Sequence, residues 1–295
     1  MAREGSSNRT VRQRSQAAVW LQVDIMVTAG ANQAFVNVLL TLTDATDSVV
    51  LFRPYYFNHL MACQMTGGAR SVVFGPPDVN LKPDLQWLEA ALQGEQPPKM
   101  VVIVNPCNPA GVRPSRRRAQ CHKLFLSTRS VCLLDCAFDC ACRLHLRRRS
   151  SHTRAGFLLT EAEVRRAQAL TAAAGAWLVL DNTYEHFVYD SAAAHFTLAA
   201  ANVVNIFSFS KAFGMMGWRV GYLALPNDDS VCGLGAQMLK VQDTIPICAT
   251  QVSQGMALAA LRGGRDWVTQ RVADLVGVPC RPCLFTTAVI KRHIA

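Results

Sequence analysis

From residue 22 onward, short apolar runs alternate with longer segments of helical periodicity. Residues 22–27 read as a strand. A small-residue turn, Thr28–Ala34, leads from it into apolar Phe35, Val36, Val38, Leu39 and Leu40, a helix pattern. Ser48–Phe52 and Ser71–Gly75 read as the second and third strands. Pro83 then opens a helix with Leu85, Leu88 and Leu92 at helical spacing. Met100–Val104 is a strand of the fully buried kind. It runs into Asn105-Pro106-Cys107-Asn108-Pro109-Ala110-Gly111, where two Asn-Pro units three residues apart fix a stiff turn and aim an amide. Thr160 and Glu163 form a capping box for a helix carrying Val164, Ala167, Leu170 and Ala174. Ala176–Leu180 is a further strand, Val203, Val204 and Ile206 begin another, and 234–242 and 247–262 read as helices. Strands alternating with helices predict an α/β fold with a largely parallel sheet, whose ligands bind outside the carboxyl ends of the strands.

The chemistry-bearing residues collect at those ends. Gly30, Tyr56, Asn108, Asp181 and Lys211 all lie at predicted strand exits. Lys211 stands alone among Ser208, Ser210, Gly214 and Gly217, with Arg219 following. That setting suits an amine nucleophile that condenses with an aldehyde, or a solvated lysine in a glycine-rich turn. Ser208 and Arg219 are phosphate-ligand types, one a hydroxyl and one a planar cationic fork. The helix start after Thr28 is either an anion site or an ordinary helix end. Asp181 leaves an apolar strand with Tyr184 three residues on, a pair able to grip a heteroaromatic ring; the alternative is an aspartate that caps the next turn. One of Tyr55, Tyr56 and Phe57 can stack on a planar ring, though core packing is the commoner fate.

Composition trims the alternatives. The 295 residues suffice for one large or two ordinary domains. Asp24, Asn32, Gln33 and Asn37 interrupt the longest apolar stretch, so no membrane span is expected. The chain has 30 basic and 20 acidic residues, a net +10, but residues 113–157 hold 11 and 2 of them, which leaves 19 and 18 elsewhere. A nucleic-acid partner would rest on that block alone, and none is expected. Five of the eleven cysteines (Cys121, Cys132, Cys136, Cys140, Cys142) fall in the same block. A zinc set of Cys136, Cys140, Cys142 and His145 lacks paired ligand spacing, so no metal is expected. The cysteine pattern suits a reducing, cytoplasmic compartment. The Arg- and Ser-rich start faintly resembles a transit peptide, but a strand follows it almost at once.

Taken together, these residues resemble the large domain of a fold-type I, class I/II aminotransferase dependent on pyridoxal 5′-phosphate (PLP). The resemblance covers residues 22–112 and 158–276. It implies a mostly parallel seven-stranded sheet flanked by helices, and a small domain that is largely missing. It also implies Lys211 as the Schiff-base lysine and proton carrier, and Asp181 on the pyridinium nitrogen. Tyr184 and Asn108 would bond the ring 3-oxygen and Tyr56 would stack on the ring. Ser208, Arg219 and the backbone at Gly30, Ala31 and Asn32 would bind the phosphate. The words Asp181–Phe187, Phe207–Arg219 and Gln242–Cys248 are similar to plant-type aromatic and methionine aminotransferases. The expected partners are an amino acid, a 2-oxo acid and a second copy of the chain. Three parts depart from the family: an atypical segment 1–21, a basic, intron-like insert 113–157, and an unrelated tail 277–295. No residue matches the family's arginine for the substrate carboxylate. The alternative expectation is therefore a non-catalytic or truncated PLP-binding fragment.

Overall fold

The computed structural model describes residues 23–67, 71–108, 158–188, 193–227 and 233–277. The segments 1–21 and 113–157, the tail beyond Gly277 and the Cys136/Cys140/Cys142/His145 set lie outside the described residues. The elements follow in order: β1 (Val23–Thr28), α1 (Ala31–Leu42), β2 (Ser48–Phe52), α2 (Phe57–Thr66), β3 (Ser71–Gly75), α3 (Leu85–Leu92), β4 (Met100–Val104), α4 (Glu161–Ala173), β5 (Trp177–Asp181), β6 (Val203–Ser208), β7 (Gly221–Pro226), α5 (Leu234–Thr244), α6 (Gln251–Arg262) and α7 (Arg265–Gly277).

The strands form one seven-stranded sheet in the order β1-β7-β6-β5-β4-β2-β3. β2 through β6 pair in parallel, and only β7 runs against the rest. Because β1 is antiparallel to β7, it shares the direction of β6.

Strands β2 and β4 to β7 are buried on both faces, while Ile25 and Val27 of the edge strand β1 are exposed. The period of two divides each strand between two cores. Val49, Leu51, Met100, Val102, Val179 and Val204 face Phe35, Val38, Leu39 and Met238 of α1 and α5. Val50, Val101, Ile103, Leu178 and Leu180 face Leu88, Leu92, Val164 and Ala167 of α3 and α4. Burying side chains of this size contributes about 1.5–3 kcal/mol each. The second layer is pinned by capping. Thr160 and Glu163 form the expected reciprocal box, and Glu163 also receives Lys82 Nζ at 2.7 Å.

The structure corrects several sequence readings. Asp84, not Pro83, opens α3, because its carboxylate accepts from the N–H groups of Gln86 and Trp87 at 2.9 and 3.1 Å. α6 begins at Gln251 rather than 247, since Pro246 and a left-handed Ile247 (φ 65°) break the chain before it. Helices α2 and α7 and strand β7 had no reading of their own. Among the described residues, no helix is long and apolar enough to cross a membrane.

Candidate active site

The shared direction of β1, β2, β4, β5 and β6 sends all five carboxyl ends to one edge of the sheet. Gly30, Tyr56, Asn108, Asp181 and Lys211 follow or end those strands, so the expected convergence is met.

At the centre of this edge lies Asp181, which is 4% exposed. Its Oδ2 is 3.2 Å from His59 Nε2, and its Oδ1 accepts the Thr183 N–H at 3.0 Å. Burial pushes the carboxyl's pKa upward, yet the bonds and charge of His59 and the Thr183 bonds outweigh it. The group is held below its ordinary value and stays ionised. His59 is itself buried, packed 4.1 Å from the Phe35 ring. Tyr56 meets the His59 ring edge-on at 5.3 Å. Burial, and then the charge of Asp181, raise the Tyr56 phenol above its usual value. Of its two aromatic neighbours, Tyr55 stacks on Phe74 in the core and Phe57 faces outward. Tyr56 is thus the one aimed at the site.

Two turns meet beside Asp181. Asn108, beyond β4, donates from Nδ2 to the Tyr184 hydroxyl at 3.0 Å, which brings together two residues separated by 76 positions. That direction makes the phenol an acceptor toward Asn108 and a donor toward any further oxygen. Glu185 and His186 continue the turn. Burial pushes the Glu185 carboxyl up to about 7 and holds the His186 imidazole below its ordinary value.

The other corner is made by backbone. α1 starts at Ala31 after Gly30 (φ 85°), and its first internal bond is Ala34 N–H to Gly30 O. The N–H groups of Ala31 and Asn32 precede that ladder and point out of the helix end. Arg219, itself in the left-handed region (φ 53°), donates to Met216 O at 2.7 Å and lies 3.5 Å from Ala29 O. A Cβ on Gly30 would fall 2.2 Å from Arg219 Nη2. A Cβ on Gly221 would fall 2.9 Å from Ala31 N. Gly221 pairs with Ser208, so Ser208, Arg219 and the α1 start form one cradle, packed too closely at both glycines to admit a Cβ. Lys211 is half-buried in the β6–β7 connection, and its carbonyl accepts the Gly214 N–H at 3.1 Å.

His59 was missed in the sequence. The signal was its place one helical turn beyond Tyr56 on α2, but nothing local points it at β5. Also unread was a polar network of Asn105, Asn182, His195 and Asn205 beneath the two turns.

The sequence profile of the aminotransferase class I and II family matches residues 11–139 and 150–276. The aromatic aminotransferase ISS1 of Arabidopsis thaliana is 41% identical over 254 residues, 85% of this chain and 52% of that protein. An aspartate aminotransferase of Rhizobium meliloti is 26% identical over 266 residues, 88% and 52% of the two chains. In the solved structures, the aspartate aminotransferase of Thermus thermophilus with maleate superposes with a TM-score of 0.62 at 20% identity, covering 85% of this chain and 52% of that one. The aromatic aminotransferase of Pyrococcus horikoshii gives 0.59 at 21%, over 86% and 54%. These two likenesses establish the fold. The chain spans about half the length of the curated relatives it matches. With the profile matching most of its residues, the chain belongs to the class I and II aminotransferase family.

Proposed function

We propose that this chain carries the cofactor-binding part of a PLP-dependent aminotransferase, moving an amino group between an amino acid and a 2-oxo acid. The observation that carries this reading is the meeting of a buried, ionised Asp181 with the Asn108–Tyr184 pair at the sheet edge that also holds the Gly30–Arg219 cradle.

The residues fit that group. An ionised carboxylate has about four lone-pair sites, so Asp181 can accept a pyridinium N–H besides His59 and Thr183. Asn108 and Tyr184 would donate to the ring 3-oxygen, and Tyr56 would cover the ring. Ser208, Arg219 and the N–H groups of Ala31 and Asn32 would hold the phosphate. When bound, PLP supplies an aldehyde and an electron-withdrawing ring. Lys211 would be the amine that engages the aldehyde. Its Nζ, once free of the aldehyde, would take the proton from the substrate carbon bearing the amino group. An ionised Asp181 would hold a proton on the ring nitrogen, which would favour the ring's electron withdrawal. Similarity to an aromatic aminotransferase supports an aromatic donor, with methionine the second candidate. A homodimer belongs to the same proposal.

The test is borohydride reduction of the PLP-loaded chain, peptide mapping, and an amino-transfer assay with phenylalanine and methionine. The expected result is an adduct at Lys211 that Lys211→Ala abolishes, together with transfer. An adduct on another lysine overturns the site. An adduct at Lys211 without any transfer favours a cofactor-holding fragment over a transferase.

A further inference from the structure

His195 lies outside the strands, on the segment that leads back to β6. Its Nε2 is 3.1 Å from the main-chain oxygen of Asn105 and 3.1 Å from Oδ1 of Asn182. The Asn182 amide has one consistent orientation, because its Nδ2 donates to Leu180 O and to Asn205 Oδ1, both at 3.1 Å. Its Oδ1 therefore faces the imidazole as an acceptor, and the Asn105 carbonyl is an acceptor by nature. Two acceptors on one ring nitrogen place the proton on Nε2. Burial, the largest cause, pushes the imidazole down to about 4, so the ring is neutral at ordinary pH.

The position of this bridge gives it meaning. The β4–β5 ladder ends at Val104↔Asp181, and one further bond, Asn105 N–H to Asp181 O at 2.9 Å, follows. His195 then bridges the residues that follow the two strands. Three residues beyond Asn105 is Asn108, and two beyond Asn182 is Tyr184. The His195 bridge thus stands between the end of the ladder and the Asn108–Tyr184 bond, at the root of both turns. The surrounding bonds fix the brace itself: Asn105 Nδ2 to Phe196 O at 3.2 Å, Asn205 Nδ2 to Leu198 O at 2.9 Å, and Thr197 Oγ1 to Asn205 Oδ1.

We infer that His195 is a positioning residue that sets the separation of the two turns, and through it the hydrogen bonding of Asn108 and Tyr184 to the cofactor's ring oxygen. The inference rests on the PLP reading above. Donors on an oxygen favour its ionised form, so loosening them raises the pH at which that oxygen titrates. A residue that only holds the core together would lower stability and leave this pH unchanged.

The experiment uses the full chain loaded with PLP and follows the pH midpoint of the cofactor's absorption change, its dissociation constant, and the unfolding temperature. His195→Phe keeps a ring and removes the donor; His195→Gln keeps an N–H donor. The expected result is a midpoint raised by about one unit in His195→Phe, and restored to within a few tenths in His195→Gln. A lower unfolding temperature with an unmoved midpoint overturns the inference. Should His195→Phe fail to fold, ¹⁵N spectra of the unsubstituted chain decide. A neutral Nε2–H tautomer that does not titrate between pH 5 and 8 supports the brace, and an Nδ1–H tautomer or titration near 6.5 overturns it. Failure of the PLP reading is separate, since it is seen as the absence of a borohydride adduct in the unsubstituted chain.

Discussion

The two ends of the candidate cofactor site are built in opposite ways. At the Asp181 end, polar side chains are buried and cross-bonded: His59 and Asp181 are 3% and 4% exposed, and Asn105, Asn182 and Asn205 are each 1% exposed. At the Gly30 end the groups are backbone N–H, a hydroxyl and an exposed arginine held by main-chain oxygens. The first end depends on every member having its partner, because a desolvated polar group left alone is costly. The second depends on two side chains being absent. On the PLP reading these are the ring end and the phosphate end; the first should break by deletion and the second by addition.

The largest expected effect tests the deletion side. His59→Leu strands a buried carboxylate, and breaking a buried pair costs about 3–5 kcal/mol. The double variant with Asp181→Asn should recover most of that loss in urea unfolding. If His59→Leu and Asp181→Asn simply add, the pair is not coupled and the account of Asp181 fails.

The pH dependence of stability comes next, and it also belongs to the ring end. His195 is held by burial at about 4, below its ordinary 6.5, so its contribution is whole above pH 6.5 and is lost as pH falls through 4. Glu185 is raised by burial to about 7 from 4.5, so its contribution is whole below pH 4.5 and is lost as pH rises through 7. Each shift corresponds to about 3 kcal/mol. Between roughly pH 4.5 and 6.5 the two slopes oppose each other, with His186 adding to the acid side. Unfolding free energies of Glu185→Gln should then fall toward acid, and those of His195→Gln should fall toward neutral pH. Two variants with the same slope would contradict these assignments.

Addition at the phosphate end ranks third. Gly30→Ala places a Cβ 2.2 Å from Arg219 Nη2 at φ 85°, ψ 167°, a backbone region that costs a side chain about 1–3 kcal/mol. The guanidinium can swing away, but it then leaves the cradle. PLP titration should show Gly30→Ala weakening binding at least as much as Arg219→Ala does. Full affinity in Gly30→Ala would mean that Arg219 does not need this place.

The same contrast explains what the sequence disclosed. The Gly30 turn and the strand exits were legible because glycines, a lone lysine and an aspartate after an apolar strand are local signals. The Thr160–Glu163 box was legible for the same reason. His59 was not, because β2 and β5 are separated in the sheet by β4 and only the topology swings α2 over the β5 end. The network of Asn105, Asn182, His195 and Asn205 was not legible either. The bonds that join these four to one another span 13, 23 and 90 positions, and no spacing rule reaches that far. β7 was hidden in the glycine-rich stretch after Lys211, since its six residues closely follow Gly217 and Arg219.

The smallest effects come from removing one hydroxyl at each end. Tyr184→Phe takes the acceptor from Asn108 Nδ2, and Ser208→Ala takes the acceptor from Ser210 N–H at 3.1 Å. Both hydroxyls are part-buried, so each loss should cost the unliganded chain about 1 kcal/mol or less. The two variants should separate once PLP is present. Tyr184 belongs to the turn that His195 braces, so Tyr184→Phe should raise the pH midpoint of the bound cofactor's absorption. Ser208 sits beside the α1 start, so Ser208→Ala should weaken binding and leave the midpoint unmoved. Equal midpoint shifts in both would mean that the two ends do not act separately, and the contrast between deletion and addition would then describe the apoprotein alone.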